Sequence, residues 1–148
     1  MTADVNMKLD NDETPLHSAI LSGNPEIVKT LMNLYAEVNA QNNEGKTPLH
    51  YACSVGNKKL CQLLVASQDI VIDVQDKDGN TPLHLACSAL QLSIITILLL
   101  ECEADPSIMN RNGEAPQHIL AKKSTQAGQA DKFAEVLAAM KQASGLDE

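Results

Sequence analysis

Seven residues recur four times along this 148-residue chain, and nothing else in the sequence constrains its fold as tightly. They read TPLHSAI from Thr14, TPLHYAC from Thr47, TPLHLAC from Thr81 and, decayed, APQHILA from Ala115, at offsets of 33, 34 and 34 residues. At that period each unit is one supersecondary element, too small to bury its own apolar face, so neighbouring units must stack and share a core. Function then belongs to a surface repeated along the stack.

The motif is a helix start. A threonine hydroxyl can accept from a backbone N–H of the first turn, and proline fits the first helical position, where no donor is missed. The leucine points inward and the alanine keeps that face thin. The histidine stands at the third helical position, where a capping box carries Glu or Gln, so a local hydrogen bond tying the helix start to the adjoining loop is its expected role.

TPLHxA at this period resembles the ankyrin repeat, and the likeness extends beyond the motif. Gly45 and Gly79 lie two residues before their threonines and Gly113 two before Ala115, while Asn42, Asp76 and Asn110 lie three before those glycines. Residues 36–40 (AEVNA) resemble the lead into that family's hairpin finger. The resemblance covers residues 3–141. It implies an all-α solenoid of stacked helix-turn-helix units with short hairpin fingers, in one domain over residues 1–141. Within it residues 1–13 form an N-terminal half finger, 14–46, 47–80 and 81–114 three full repeats, and 115–141 a C-terminal capping repeat, with 142–148 a flexible tail. In the first finger Asp12 replaces the glycine and Leu9 the Asp or Asn, so it should be less regular.

Within the units, Gly23 and Gly56 can end a first helix in the left-handed conformation, and Asn24-Pro25 and Asn57 begin a second. Ile27, Val28, Leu31 and Met32 make one buried face, repeated by Leu60, Cys61, Leu64 and Val65 and by Ile94, Ile95, Leu98 and Leu99. One extra residue in 67–72 accounts for the longer second offset. Leu90 takes the place of Gly23 and Gly56, at a cost of roughly 1–2 kcal/mol if the backbone is left-handed there. Leu90→Gly is therefore expected to raise the melting temperature, and Tyr35 should be strained likewise. In the fourth unit Ala115 loses the threonine cap and Gln117 replaces the buried leucine. Residues 122–130 read as a polar loop, Asp131 as the cap of a last helix, and Phe133, Val136, Leu137 and Met140 as its single apolar stripe.

Composition narrows the partners. A formal charge of −8 and a pI near 4.9 argue against nucleic acid or an anionic membrane as the main target. The strongest apolar stretch, residues 94–100, is too short to span a bilayer. The four cysteines include no CxxC pair and read as small core residues in a reducing compartment, with Cys102 the most exposed. The histidines of successive units stand one helix layer apart, about 8–10 Å, too far to share a zinc ion. The run Asp76-Lys77-Asp78-Gly79 fails as a calcium loop, because Val74 and Leu85 fall where ligands are required. Nucleotide-binding and hydrolase motifs are missing, so no cofactor, metal or catalytic activity is expected.

The resemblance implies binding of another protein by a monomer in the cytoplasm, with the nucleus as alternative, through a concave surface of finger tips and first helices. Carried over residue by residue, the tips are Asn43, Glu44 and Lys46; Lys77, Asp78 and Asn80; and Arg111, Asn112 and Glu114. The helix positions are Ser18, Leu21, Ser22, Tyr51, Ser54, Val55, Leu85, Ser88 and Ala89. Tyr51 and Arg111 are the expected hot spots. Leu31 followed by Glu37-Val38-Asn39 also resembles finger sites modified by an asparagine hydroxylase in eukaryotes, which marks Asn39. The protein is expected to act as an adaptor or an occluding inhibitor, as small ankyrin inhibitors of cyclin-dependent kinases do. Its alternatives are a part of a larger channel, kinase or scaffold, or a pathogen-secreted effector.

Overall fold

The computed structural model describes residues 4–145, and among them eight helices and no strand. They are α1 (Pro15–Ser22), α2 (Pro25–Asn33), α3 (Pro48–Val55), α4 (Lys58–Val65), α5 (Pro82–Ser88), α6 (Leu92–Thr96, continuing as a π-helix over Ile97–Glu101), α7 (Pro116–Gln126) and α8 (Ala130–Ser144). First helices pack on first helices, α1 on α3 on α5 on α7, and α2, α4 and α6 form the second row. The shared core runs between the rows through Leu16, Leu49, Leu60, Leu83, Ile95 and Phe133, all at or below 1% exposure.

The TPLH stretch starts each first helix as its chemistry requires. Thr14, Thr47 and Thr81 accept from the backbone N–H of His17, His50 and His84, whose Nδ1 atoms accept in return from the threonine N–H at 3.0–3.1 Å. Each Nε2 then donates to the carbonyl of the finger residue that immediately precedes the next unit's first helix cap: Lys46 at 2.8 Å, Asn80 at 2.9 Å and Glu114 at 2.9 Å. The histidine is thus a latch between its own helix start and the finger that leads into the next unit. Donating at Nε2 while accepting at Nδ1 requires the neutral ring, and burial holds all three imidazoles below their ordinary pKa.

The fingers form a ladder of their own. Asn42, Asp76 and Asn110 each accept two backbone N–H bonds through Oδ1, closing turns that Gly45, Gly79 and Gly113 complete with φ of 73–78°. The tips of successive fingers are bonded in series, Asn43 N–H to Asn11 O, Lys77 N–H to Glu44 O and Arg111 N–H to Asp78 O, at 2.9–3.0 Å. A Cβ on Gly79 would stand 2.9 Å from the Arg111 nitrogen, so close packing as well as backbone sign demands glycine there. The first finger lacks both the Asx acceptor and the glycine. Asn11 and Asp12 both take positive φ, the expected irregularity.

Leu90 (φ 56°) and Tyr35 (φ 65°) are left-handed, as expected, and Glu103 (φ 54°) joins them. Leu90, however, is half-buried against the core. The strain that glycine would relieve there is offset by the apolar contact it would lose, whereas Tyr35 is 89% exposed and has little to lose. The third unit's long offset has its own cause. From Leu90 to Glu103 the chain carries one residue more than from Gly23 to Tyr35, and the helix absorbs it as a π-turn: Ala104 N–H reaches back to Leu98 O where Ala36 N–H reaches Leu31 O.

The fourth unit corrects three expectations. Residues 122–126 are helix, not loop, because Ser124 occupies the place of Gly23 and Gly56. Only Gly128 (φ 70°), one turn later, stops α7. Asp131 does not cap α8, whose N-cap is Gln129; it lies inside the first turn, where a carboxylate still complements the helix dipole. Residues 142–144 continue α8 instead of fraying, and Ser144 Oγ donates to Gln117 Oε1 at 2.8 Å, giving the buried amide a partner. The rest of the expected tail, residues 146–148, lies outside the described residues.

Candidate protein-binding face

The sequence-predicted residues fall on two sides of the finger row. Asn80, Leu85, Ser88, Asn112 and Glu114 line one cavity of about 280 Å³ between the fingers and the first helices of the third and fourth units. Lys77 and Arg111 line a separate depression with Gln75 and Met109. The register Asn43, Lys77, Arg111 therefore contributes backbone N–H groups to the finger ladder, and its exposed side chains do not share the helix-side cavity. Exposed Glu44 and half-buried Lys46 stand 3.9 Å apart at the second finger, a pair of small energetic weight. Asp78 at the third tip is exposed, as are Ser54 and Val55 on α3 and Ser18, Leu21 and Ser22 on α1, while Ala89, the C-cap of α5, is half-buried.

Tyr51 sits between two fingers. Its hydroxyl donates to Glu13 Oε2 at 2.6 Å and accepts from Asn42 Nδ2 at 2.8 Å, and its ring meets His17 edge-on at 5.3 Å. Burial, with the Glu13 carboxylate second, pushes the phenol up to about 12. A partner therefore meets a ring already fixed in place, with both hydroxyl bonds made inside the chain. Asn39 is also occupied: Nδ2 donates to Asp69 O at 2.7 Å and Oδ1 accepts from Val71 N–H at 2.8 Å. Asn6 with Glu37, and Asp73 with Asp105, repeat that bridge in the neighbouring units.

Three residues of the helix-side cavity escape the sequence reading: Ile119, Lys122 and Lys123 on α7. Their signal is register. They continue the series of Tyr51 and Leu85, of Ser54 and Ser88, and of Val55 and Ala89 into the fourth unit, once α7 is known to be a full helix. The face is consequently polarised. Asp10, Asp12, Glu13 and Glu44 outnumber Lys8 and Lys46 at the first two fingers, and Lys122 and Lys123 outnumber Glu114 at the other end.

Among the described residues no three His, Cys, Asp or Glu side chains come together to hold a metal ion, and no helix is long and apolar enough to cross a membrane. Cys53, Cys61 and Cys87 are fully buried free thiols and Cys102 is half-buried. Burial, helped by Glu101, raises the Cys102 pKa, which keeps it a poor nucleophile.

A stack of helix pairs with a ladder of fingers along one side defines a solenoid repeat protein. The chain belongs to the ankyrin repeat family: the model for ankyrin repeats (three copies) matches residues 1–76 and again 34–110, and members of this family are in general protein-binding modules. A comparison with curated proteins found no match.

Proposed function

We propose that this protein binds a segment of another protein along the concave face and acts by occupying it, as an adaptor or an occluding inhibitor in a reducing compartment such as the cytoplasm or nucleus. The observation that carries this reading is the helix-side cavity, where polar finger groups (Asn80, Asn112, Glu114) face apolar Leu85 and Ile119 with two lysines at one end. A cleft of that make-up takes an extended or helical segment, and its charge gradient fixes the direction in which the segment lies. The segment's acidic end belongs at Lys122 and Lys123, its basic end at the first two fingers. No catalytic, metal or cofactor role enters this reading. If Asn39 is a modification site, the hydroxylase must first open its two bonds to the next unit. A one-oxygen mass increase on the peptide carrying Asn39, from protein isolated from its source, is the readout.

Affinity capture from the source cell, repeated with Lys122→Glu/Lys123→Glu, Arg111→Glu and Tyr51→Ala, tests the assignment. The double lysine reversal should cost roughly threefold to tenfold in affinity, since exposed charge contacts are worth up to about 1 kcal/mol each and reversal adds repulsion. Unchanged capture by all three variants, with folding intact by circular dichroism, means that partners bind elsewhere. A second reading, a regulatory or scaffold portion of a larger ankyrin protein, is favoured by Ile27, which is 46% exposed where its counterparts Leu60 and Ile94 are at or below 1%.

A further inference from the structure

The π-turn in α6 has no counterpart in α2 or α4, and it borders an apolar groove on the side of the stack formed by the second helices. One wall is Leu92, Thr96, Leu99 and Leu100 of α6; the other is α8, where Lys132 and Glu135 are followed by the apolar Val136, Ala139 and Ala143. The space between them is about 430 Å³. Leu100 is 73% exposed, at a position where the two preceding units have Asn33 and Ala66. Core packing does not call for a leucine there. The hydroxyl of Thr96 is already committed to Leu92 O at 2.9 Å, so it offers a ligand no free hydrogen bond.

The shape specifies the occupant. Lining residues recur at helical spacing along both walls, and those on α8 span about three turns, roughly 16 Å at 1.5 Å per residue. Two parallel ridges with a trough of that length take a third helix laid between them. The charges specify its flanks. Glu101, Glu103, Asp105, Asp131 and Glu135 are exposed and lie in the lining or next to it in sequence, against the single amine of Lys132.

We propose that this groove is a second docking surface, distinct from the concave face, that takes an amphipathic helix of another protein with a leucine-type stripe about three turns long and lysine or arginine on its flanks. It allows one molecule to hold two partners at once, one on each side of the stack.

The test uses the full chain and a synthetic fifteen-residue peptide with leucines at i, i+3, i+4, i+7 and i+11 and lysines on the flanks, read by fluorescence anisotropy and by amide shifts. Binding is expected, with shifts confined to α6 and α8. Ala139→Trp, which fills the trough, and Leu100→Gln on the opposite wall should each weaken it about tenfold or more without lowering the melting temperature. A scrambled peptide of the same charge should bind about tenfold less tightly. Equal binding of the scrambled peptide, indifference to both variants, or shifts on the concave face would overturn the proposal. It would equally be overturned if only a small apolar dye entered the groove, or if sedimentation showed a dimer of this chain that Leu100→Gln dissolves.

Discussion

The second and fourth units begin with the same histidine bond and then diverge. His50 accepts from Thr47 N–H and donates its Nε2–H to Asn80 O of the next finger, whereas His118 accepts from Ala115 N–H and, among the described residues, its buried Nε2 meets no acceptor. Everything around the two rings follows that difference. Gly45 and Gly79 are pressed by the next finger's backbone, while Gly113 has nothing within 4 Å of where its Cβ would be. Leu49 and Leu83 are buried between layers, while Gln117 takes their place and is satisfied by Ser144. One motif thus serves as a coupling in the middle of the stack and as part of a cap at its end, where a buried polar side chain is satisfied within the cap itself.

The contrast can be broken most severely at the buried leucine. Leu83→Gln places an amide between two layers with no partner and should cost roughly 3–5 kcal/mol by urea unfolding. The reverse exchange, Gln117→Leu, should change stability by less than about 1 kcal/mol, because it trades a side-chain hydrogen bond for apolar burial at the same site. Comparable losses from both exchanges would erase the distinction between layer and cap.

Acidification probes all the couplings together. The folded chain holds His17, His50 and His84 below their ordinary pKa of about 6.5, so the unfolded chain takes up more protons as the pH falls through that value. Stability is complete above about pH 6.5 and declines below it. The carboxyl of Asp73, raised mainly by burial, acts in the opposite sense, but nearer pH 4. The denaturant midpoint should fall steadily between pH 7 and pH 5, and a flat profile would mean that the latches survive protonation.

The smallest effect is at the turns. Tyr35→Gly relieves a left-handed backbone at the cost of little buried surface and should stabilise by about 1 kcal/mol, raising Tm by roughly 2–4 °C. Leu90→Gly should change Tm by less, because its half-buried side chain is lost together with its strain.

What was legible follows from the repetition. Aligning the copies places the caps, the left-handed residues and the finger tips, because each position is stated three or four times over. Features that occur once are hidden. The π-turn lies in an unbroken apolar run over residues 94–100, where an extra residue leaves no local mark. The extension of α7 rests on Ser124 standing where a glycine would stop the helix. The loss of Lys122 and Lys123 from the sequence-derived face is the direct result of reading that segment as loop, whereas Ile119 was legible from its register with Tyr51 and Leu85. The partner of Tyr51 is Glu13, brought close only by the stacking of two fingers.

The claim on which the rest depends is that the motif histidine couples each helix start to the finger that leads into the next unit. Urea unfolding of His50→Ala and His118→Ala at pH 7.5 measures it. His50→Ala removes an acceptor for Thr47 and the donor to Asn80 and should cost about 2–4 kcal/mol, while His118→Ala, with one bond to lose, should cost less than about 1.5 kcal/mol. Equal losses would show that the histidine only caps its own helix and that the units are held together by their leucines alone.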